Sequence, residues 1–241
     1  MPIKDTILSE IRAALEHEPR LNVHRDAIHL AFCNGNVTLD GEVGSIVAKR
    51  IALEHARTLN GISSTIDRLR VIPGERRGDG AVRDALAAFL LGDTTFQDYF
   101  INARSNNGAL PLHDPGKQAQ GSIEIDTQDG IVTLRGVVGS LSHKRLAGVL
   151  AWWTPGCCDV TNELEVKPLE YDNDDEILDA LRLVLEKDPL VHAHQIRAES
   201  HNAVITLHGL LATEEERKMA ELNAWYLFGV RDVVNLISVQ H

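Results

Sequence analysis

The sequence predicts an α+β chain made of three tandem copies of one helix–strand–strand–helix–strand unit. Three observations predict it. The string GNVTLDGEVGSIVAKRIAL at 35–53 returns as GIVTLRGVVGSLSHKRLAG at 130–148, and more loosely as AVITLHGLLATEEERKMAE at 203–221. Gly41, Gly136 and Gly209 correspond at separations of 95 and then 73 residues, and the same separations relate Gly61, Gly156 and Gly229, then Val71, Val166 and Val239. Within each copy the apolar period switches from helical to alternating and back. The units run over 4–73, 78–168 and 172–241, and the second carries about twenty extra residues at 100–121.

Each unit opens with a helix. Ile7, Ile11 and Leu15 lie at i, i+4 and i+8, as do Val82, Leu86 and Leu90, then Ile177, Leu181 and Leu185. Asp5, Asp79 and Asp174 stand where a capping carboxylate could accept the free N–H groups of the first turn. Pro19 and Pro189 follow two of these helices and cannot extend them.

A hairpin follows. Ile28, Leu30 and Phe32 alternate with polar or small residues before the turn Asn34-Gly35-Asn36, and Ile123 and Ile125 do the same before Gln128-Asp129-Gly130. On the return strand Val37, Leu39, Gly41 and Val43 share a face, as do Val132, Leu134, Gly136 and Val138, and Ile205, Leu207, Gly209 and Leu211. The glycines Gly41, Gly136 and Gly209 are read as structural, each leaving room for the helix that packs over the strand.

That second helix carries small residues inward: Ala48, Ala52 and Ala56, then Ala147 and Ala151, then Ala220 and Ala224. It stops at Asn60-Gly61, Pro155-Gly156 and Phe228-Gly229, where glycine ends a helix readily. A last strand, TIDRLRV, VTNELEV or VVNLISV, closes the unit. Neighbouring hairpin strands are antiparallel, and a strand–helix–strand step makes a parallel pair. A small mixed three-stranded sheet with both helices on one face follows for each unit.

Composition excludes several function classes. The net charge is −11, and it divides as +1 over 1–77, −4 over 78–168 and −8 over 169–241. Nucleic acid needs clustered cations, so it is a poor partner. No apolar run is long enough to span a bilayer as a helix. The start, MPIKDTILSEIRAALEHEP, has no apolar signal region, which points to the cytoplasm. Three cysteines, two of them adjacent, make no disulfide framework or zinc pattern. Asp114-Pro115-Gly116-Lys117-Gln118 lacks the phosphate-loop spacing and reads as a turn. His192-Ala193-His194 lacks further metal ligands, and the acidic run at 172–176 lacks the glycine and closing glutamate of a calcium loop. No convergent set of acid, base and nucleophile emerges, so no enzyme activity and no cofactor are expected.

Two recurrent features suggest contact with something else. Basic pairs open the second helix: Lys49-Arg50, Lys144-Arg145 and Arg217-Lys218. Aromatic pairs close it in two units, Trp152-Trp153 and Trp225-Tyr226, where the first unit has Arg57-Thr58. The cations could meet an anionic headgroup or lie solvated along the helix. The rings could face a membrane interface or a protein, or pack one unit on the next. Asn162 and Asn235 fall on the inward side of the closing strand, where an amide must find backbone partners; Asp67 replaces them in the first unit. Outward Val137 and Leu210 fit unit docking or homo-oligomer formation, and Glu42 makes the first unit the wettest there.

The G-x-VTL-x-G-x-V strand, the KR-x-A helix start and the G-x-x-x-V-x-N-x-L-x-V ending together resemble the BON domain, the family of bacterial osmotic-stress and nodulation proteins. The resemblance covers most of the chain. It implies a non-enzymatic binding or adaptor protein linked to envelope stress and anionic phospholipid, with the periplasm as the alternative compartment. A second implication is a sensor for potassium or another small solute in the cytosol. A third, from the unit pattern, is a scaffold for a protein partner.

Overall fold

The computed structural model describes residues 3–22, 26–105 and 108–240. The first two residues, residues 23–25 of the first unit, Asn106-Asn107 of the expected insertion, and the last residue of the third unit lie outside the described residues. The chain divides into two compact units, Met1–Ile72 and Pro73–His241.

The first unit runs α1 (Ile3–His17), β1 (Ala27–Cys33), β2 (Asn36–Val43), α2 (Ile46–Thr58) and β3 (Ser64–Val71). β1 and β2 pair antiparallel, with Ile28 opposite Gly41 and Cys33 opposite Asn36. β2 and β3 pair parallel, from Asn36 opposite Ser64 to Val43 opposite Val71. Asn34 and Gly35 make the hairpin turn with φ of 50° and 81°, the double left-handed conformation that suits a tight antiparallel connection. Ile7, Ile11 and Leu15 of α1, Val37, Leu39 and Val43 of β2, and Ala48, Ala52 and Ala56 of α2 form the core.

The second compact unit holds two repeats. The first comprises α3 (Asp79–Gly92), β4 (Tyr99–Ser105), β5 (Gly108–His113), β6 (Gly121–Gln128), β7 (Ile131–Val138), α4 (Leu141–Trp153) and β8 (Asp159–Val166). The second comprises α5 (Asp174–Lys187), β9 (Ile196–His201), β10 (Val204–Leu211), α6 (Glu214–Tyr226) and β11 (Asp232–Val239). β9, β10 and β11 repeat the three-stranded pattern, antiparallel then parallel. The middle sheet has five strands in the order β5-β4-β6-β7-β8, because the extra residues supply a hairpin that joins the edge. β4 runs parallel to β6, with Ile101 opposite Ile123 and Ala103 opposite Ile125.

The recurrent strand glycine occupies like surroundings three times, but for a different reason than the expected one. Gly41, Gly136 and Gly209 have φ of 127°, 128° and 158°. A Cβ there would meet the backbone oxygen of Ala27 at 1.9 Å, of Ser122 at 2.1 Å and of Gln195 at 2.3 Å. The obstacle is a carbonyl in, or immediately before, the neighbouring hairpin strand and not the overlying helix.

The capping aspartates are also corrected. Asp5 lies inside the first turn of α1. Asn173 caps α5 by accepting from Asp175 and Glu176 N–H, and Gly78 caps α3 without a side chain. Asp79 and Asp174 instead reach across to the hairpin turns. Asp79 accepts from Asp129 and Gly130 N–H at 3.1 and 2.9 Å, and Asp174 from Asn202 and Ala203 N–H at 2.9 and 2.8 Å. Each ties the first helix to the far end of its hairpin.

Candidate functional site

The second helices begin alike. Ser45, Ser140 and Thr213 cap them, each hydroxyl accepting from the N–H three residues on at 3.1 Å. This fixes the basic pairs in the first turn. Their surroundings then diverge.

Arg145 has no side-chain exposure. Its Nη2 donates to both carboxylate oxygens of Asp172 at 2.7 and 2.8 Å, and its Nε donates to the Phe228 carbonyl at 3.2 Å. The guanidinium lies 4.6 Å from the centre of the Phe228 ring, and Lys144 Nζ 5.3 Å from it. Burial, with Arg145 beside it, pulls the Lys144 ammonium below the usual lysine range. Phe228 belongs to the next repeat, so this cation pair joins two repeats through an ion pair, a carbonyl and an aromatic face.

The aromatic pairs complete the same seam. Trp152 stacks on Tyr226 with centroids 5.9 Å apart and planes 19° apart. Trp153 Nε1 donates to Asn223 Oδ1 at 3.0 Å, and Asn223 Nδ2 donates to Asp188 at 2.7 Å. Trp225 is fully buried, and its Nε1 has no hydrogen-bond partner. Burial raises the Tyr226 phenol above the ordinary tyrosine range. Trp152 and Trp153 thus join one repeat to the next. In the first unit the corresponding Arg57 and Thr58 are exposed.

Asn162 Nδ2 donates to the Lys144 carbonyl at 2.7 Å, and Asn235 Nδ2 to the Arg217 carbonyl at 3.2 Å. Each amide oxygen accepts from its own strand two residues on, at Leu164 and Ile237. The asparagine thus pins the second helix to the closing strand. The first unit does this by charge. Lys49, 3% exposed, pairs with Asp67 at 3.0 Å and donates to the Leu69 carbonyl at 2.7 Å.

Of the six cations, Lys49, Lys144, Arg145 and Arg217 are engaged within their own fold, Arg217 with Glu214 at 3.0 Å. Arg50 is half-buried and also has a bonding partner, and Lys218 is exposed. No three His, Cys, Asp or Glu side chains converge as metal ligands among the described residues. His192 is held by Glu216, 2.6 Å from its Nδ1. Burial pushes the Cys157 thiol up to about 12. Among the described residues no helix is long and apolar enough to cross a membrane.

Two features escaped the sequence. Tyr99 Oη accepts from Gly139 N–H at 3.0 Å and bonds His143 Nδ1 at 2.8 Å, locking β4 to the start of α4. Burial lowers the His143 pKa and raises that of Tyr99. The second feature is a groove between the first helix and first strand of a repeat. It measures about 790 Å³ between α5 and β9, and about 200 Å³ between α1 and β1.

A sequence model of the BON domain matches residues 4–73, 108–168 and 173–241. The chain belongs to the BON domain family. The match to the middle BON repeat begins after α3 and β4, where that repeat departs from the other two. BON domains are typically non-enzymatic binding modules. No curated protein matches the chain. A solved structure of the C-terminal domain of CdsD, a structural protein of the type III secretion system of Chlamydia trachomatis, aligns over 98% of this chain and 98% of that one, at 15% identity and a TM-score of 0.26. A second CdsD structure aligns over 98% and 92%, at 15% identity and a TM-score of 0.25. At those scores the likeness carries no argument about function.

Proposed function

We propose that this BON protein is a non-enzymatic adaptor that binds a protein partner, and that the outer sheet face of its third repeat is a contact surface. The observation that carries the reading is apolar exposure on that face. Leu210, Val234 and Leu236 are 49%, 40% and 55% exposed. The matching positions of the middle repeat are Val137, Thr161 and Glu163, with Glu163 held by Arg135 at 2.8 Å. A solvated sheet face ordinarily alternates to polar residues, and a cluster of apolar ones marks an interaction site.

Charge selects the class of partner. The stretch 169–241 carries −8, so an anionic bilayer repels it, and each surface cation near such a bilayer returns only about 1 kcal/mol. The Lys144-Arg145 pair expected to meet headgroups is already engaged at the seam. A protein surface with an apolar centre fits better. The stress and envelope setting comes from the family resemblance alone.

A photo-crosslinking residue in place of Leu236 tests this in cells that express the chain. A discrete adduct with a second protein, absent when the probe replaces Lys218, is the expected result. Flotation with phosphatidylglycerol vesicles is expected to leave the protein unbound. Vesicle binding, or an adduct only with another copy of the chain, would overturn the reading.

A further inference from the structure

The three repeats carry the same groove between first helix and first strand, and in one of them the chain fills it. In the middle repeat β4 lies along the free edge of β6, runs parallel to it, and packs on α3. Its Tyr99, Ile101 and Ala103 are buried, preceded by buried Phe96. Under this cover Ile123 and Ile125 of β6 have no exposure. β9 is the counterpart of β6, yet its sheet ends there, in the order β11-β10-β9. The matching Ile196 and Ala198 are only half-buried. They face the 790 Å³ groove, with Leu185 and Arg182 of α5 as its other wall.

We propose that the groove between α5 and β9 takes an extended segment of a protein partner, added as a fourth strand parallel to β9. The occupant has apolar side chains at alternate positions, in the manner of Tyr99, Ile101 and Ala103. A strand edge offers a row of backbone donors and acceptors, and pockets for alternate side chains supply the selectivity. β9 places its charges, Arg197 and Glu199, on the outer face, where they pair at 2.8 Å. The groove itself is lined by apolar Leu185, Val191, Ile196 and Ala198 together with Arg182, Glu186, His192 and His194, and Arg197 and Glu199 also reach it. Arg182 stands where α3 has the small, buried Ala87 beneath its own added strand. A long side chain there can swing to the rim of an occupied groove. The proposal rests on the adaptor reading, with a surface other than the Leu236 face.

The test uses the full chain and a synthetic peptide of residues 94–105, TTFQDYFINARS, with a control peptide in which its tyrosine and isoleucine are aspartate. Backbone hydrogen exchange is followed along β9. Millimolar peptide is expected to slow exchange at alternate β9 amides at least tenfold, and the control peptide to leave them unchanged. Ala198→Trp, which fills a half-exposed position, should abolish the effect while circular dichroism and melting stay near wild type. If that variant unfolds, the control peptide still decides. Unchanged exchange at β9 overturns the groove site. Protection that grows with protein concentration alone assigns the groove to a second copy and also overturns it. A silent β9 beside a discrete Leu236 adduct removes the groove and leaves the adaptor reading standing, whereas vesicle flotation removes the adaptor reading itself.

Discussion

Lys49 Nζ lies 3.0 Å from the Asp67 carboxylate, and these residues stand where the other repeats have Lys144 with Asn162 and Arg217 with Asn235. One joint between helix and closing strand is therefore built in two chemistries. Asp67→Asn leaves a buried ammonium without its counter-charge and should cost unit one about 2 kcal/mol. Adding Lys49→Met should return stability to within about 1 kcal/mol of wild type, because the new amide can donate to the carbonyl of residue 49 as Asn162 does to Lys144. Hydrogen exchange of β2 amides reads this directly. Additive losses in the double variant would contradict the joint.

Gly136→Ala puts a methyl 2.1 Å from the Ser122 carbonyl oxygen at a φ of 128°. The strain and clash should destabilise the second unit by about 3 kcal/mol. Gly92→Ala, at the end of α3 with nothing within 4 Å, should be neutral or slightly stabilising. Equal effects of the two in urea unfolding would remove the strand-carbonyl explanation.

The third hairpin turns on Asn202 and Ala203, with φ of 52° and 61°. The other two repeats place glycine where Ala203 stands. Ala203→Gly relieves a left-handed alanine and should stabilise by about 1 kcal/mol. A lower urea midpoint would show that the turn is not strained.

The Glu18 carboxyl is held down to about 2, against an ordinary 4.5, chiefly by the side-chain hydrogen bond from Arg20, with His55 adding another. A depressed carboxylate stabilises the fold above its unfolded pKa, and that contribution is lost as pH falls through the folded one. Unit one should therefore lose stability between pH 4.5 and 2, and Arg20→Ala should narrow that loss. The Glu18 carboxyl shift, titrated by NMR, checks it. A wild-type midpoint near 4.5 would contradict it.

Much of the fold was legible because repetition supplies its own control. Gly136 and Asn162 each recur at fixed separations, and their neighbours alternate with the period of a strand. The added inner strand β4 was not read, although Tyr99, Ile101 and Ala103 alternate there. Its partner β6 is parallel and joined through a hairpin, so no tight turn marks the pairing. Asp79 and Asp174 look like caps because a carboxylate at a helix start can accept the free N–H groups of the first turn. Only the folded hairpin brings the competing turn amides to them. The site was legible in composition but not in role. Helical periodicity cannot tell that Arg145 points inward, since its counter-ion Asp172 lies in a connecting segment and its aromatic platform Phe228 in another repeat.

The recurrent cations and rings either hold repeats together or face a ligand. Arg145→Ala measures this most directly, read by urea unfolding and by vesicle flotation of the same protein. The seam predicts a loss of about 3 kcal/mol in the second unit, from a buried cation and its packing, with flotation unchanged. Unaltered stability together with a change in vesicle binding would contradict it.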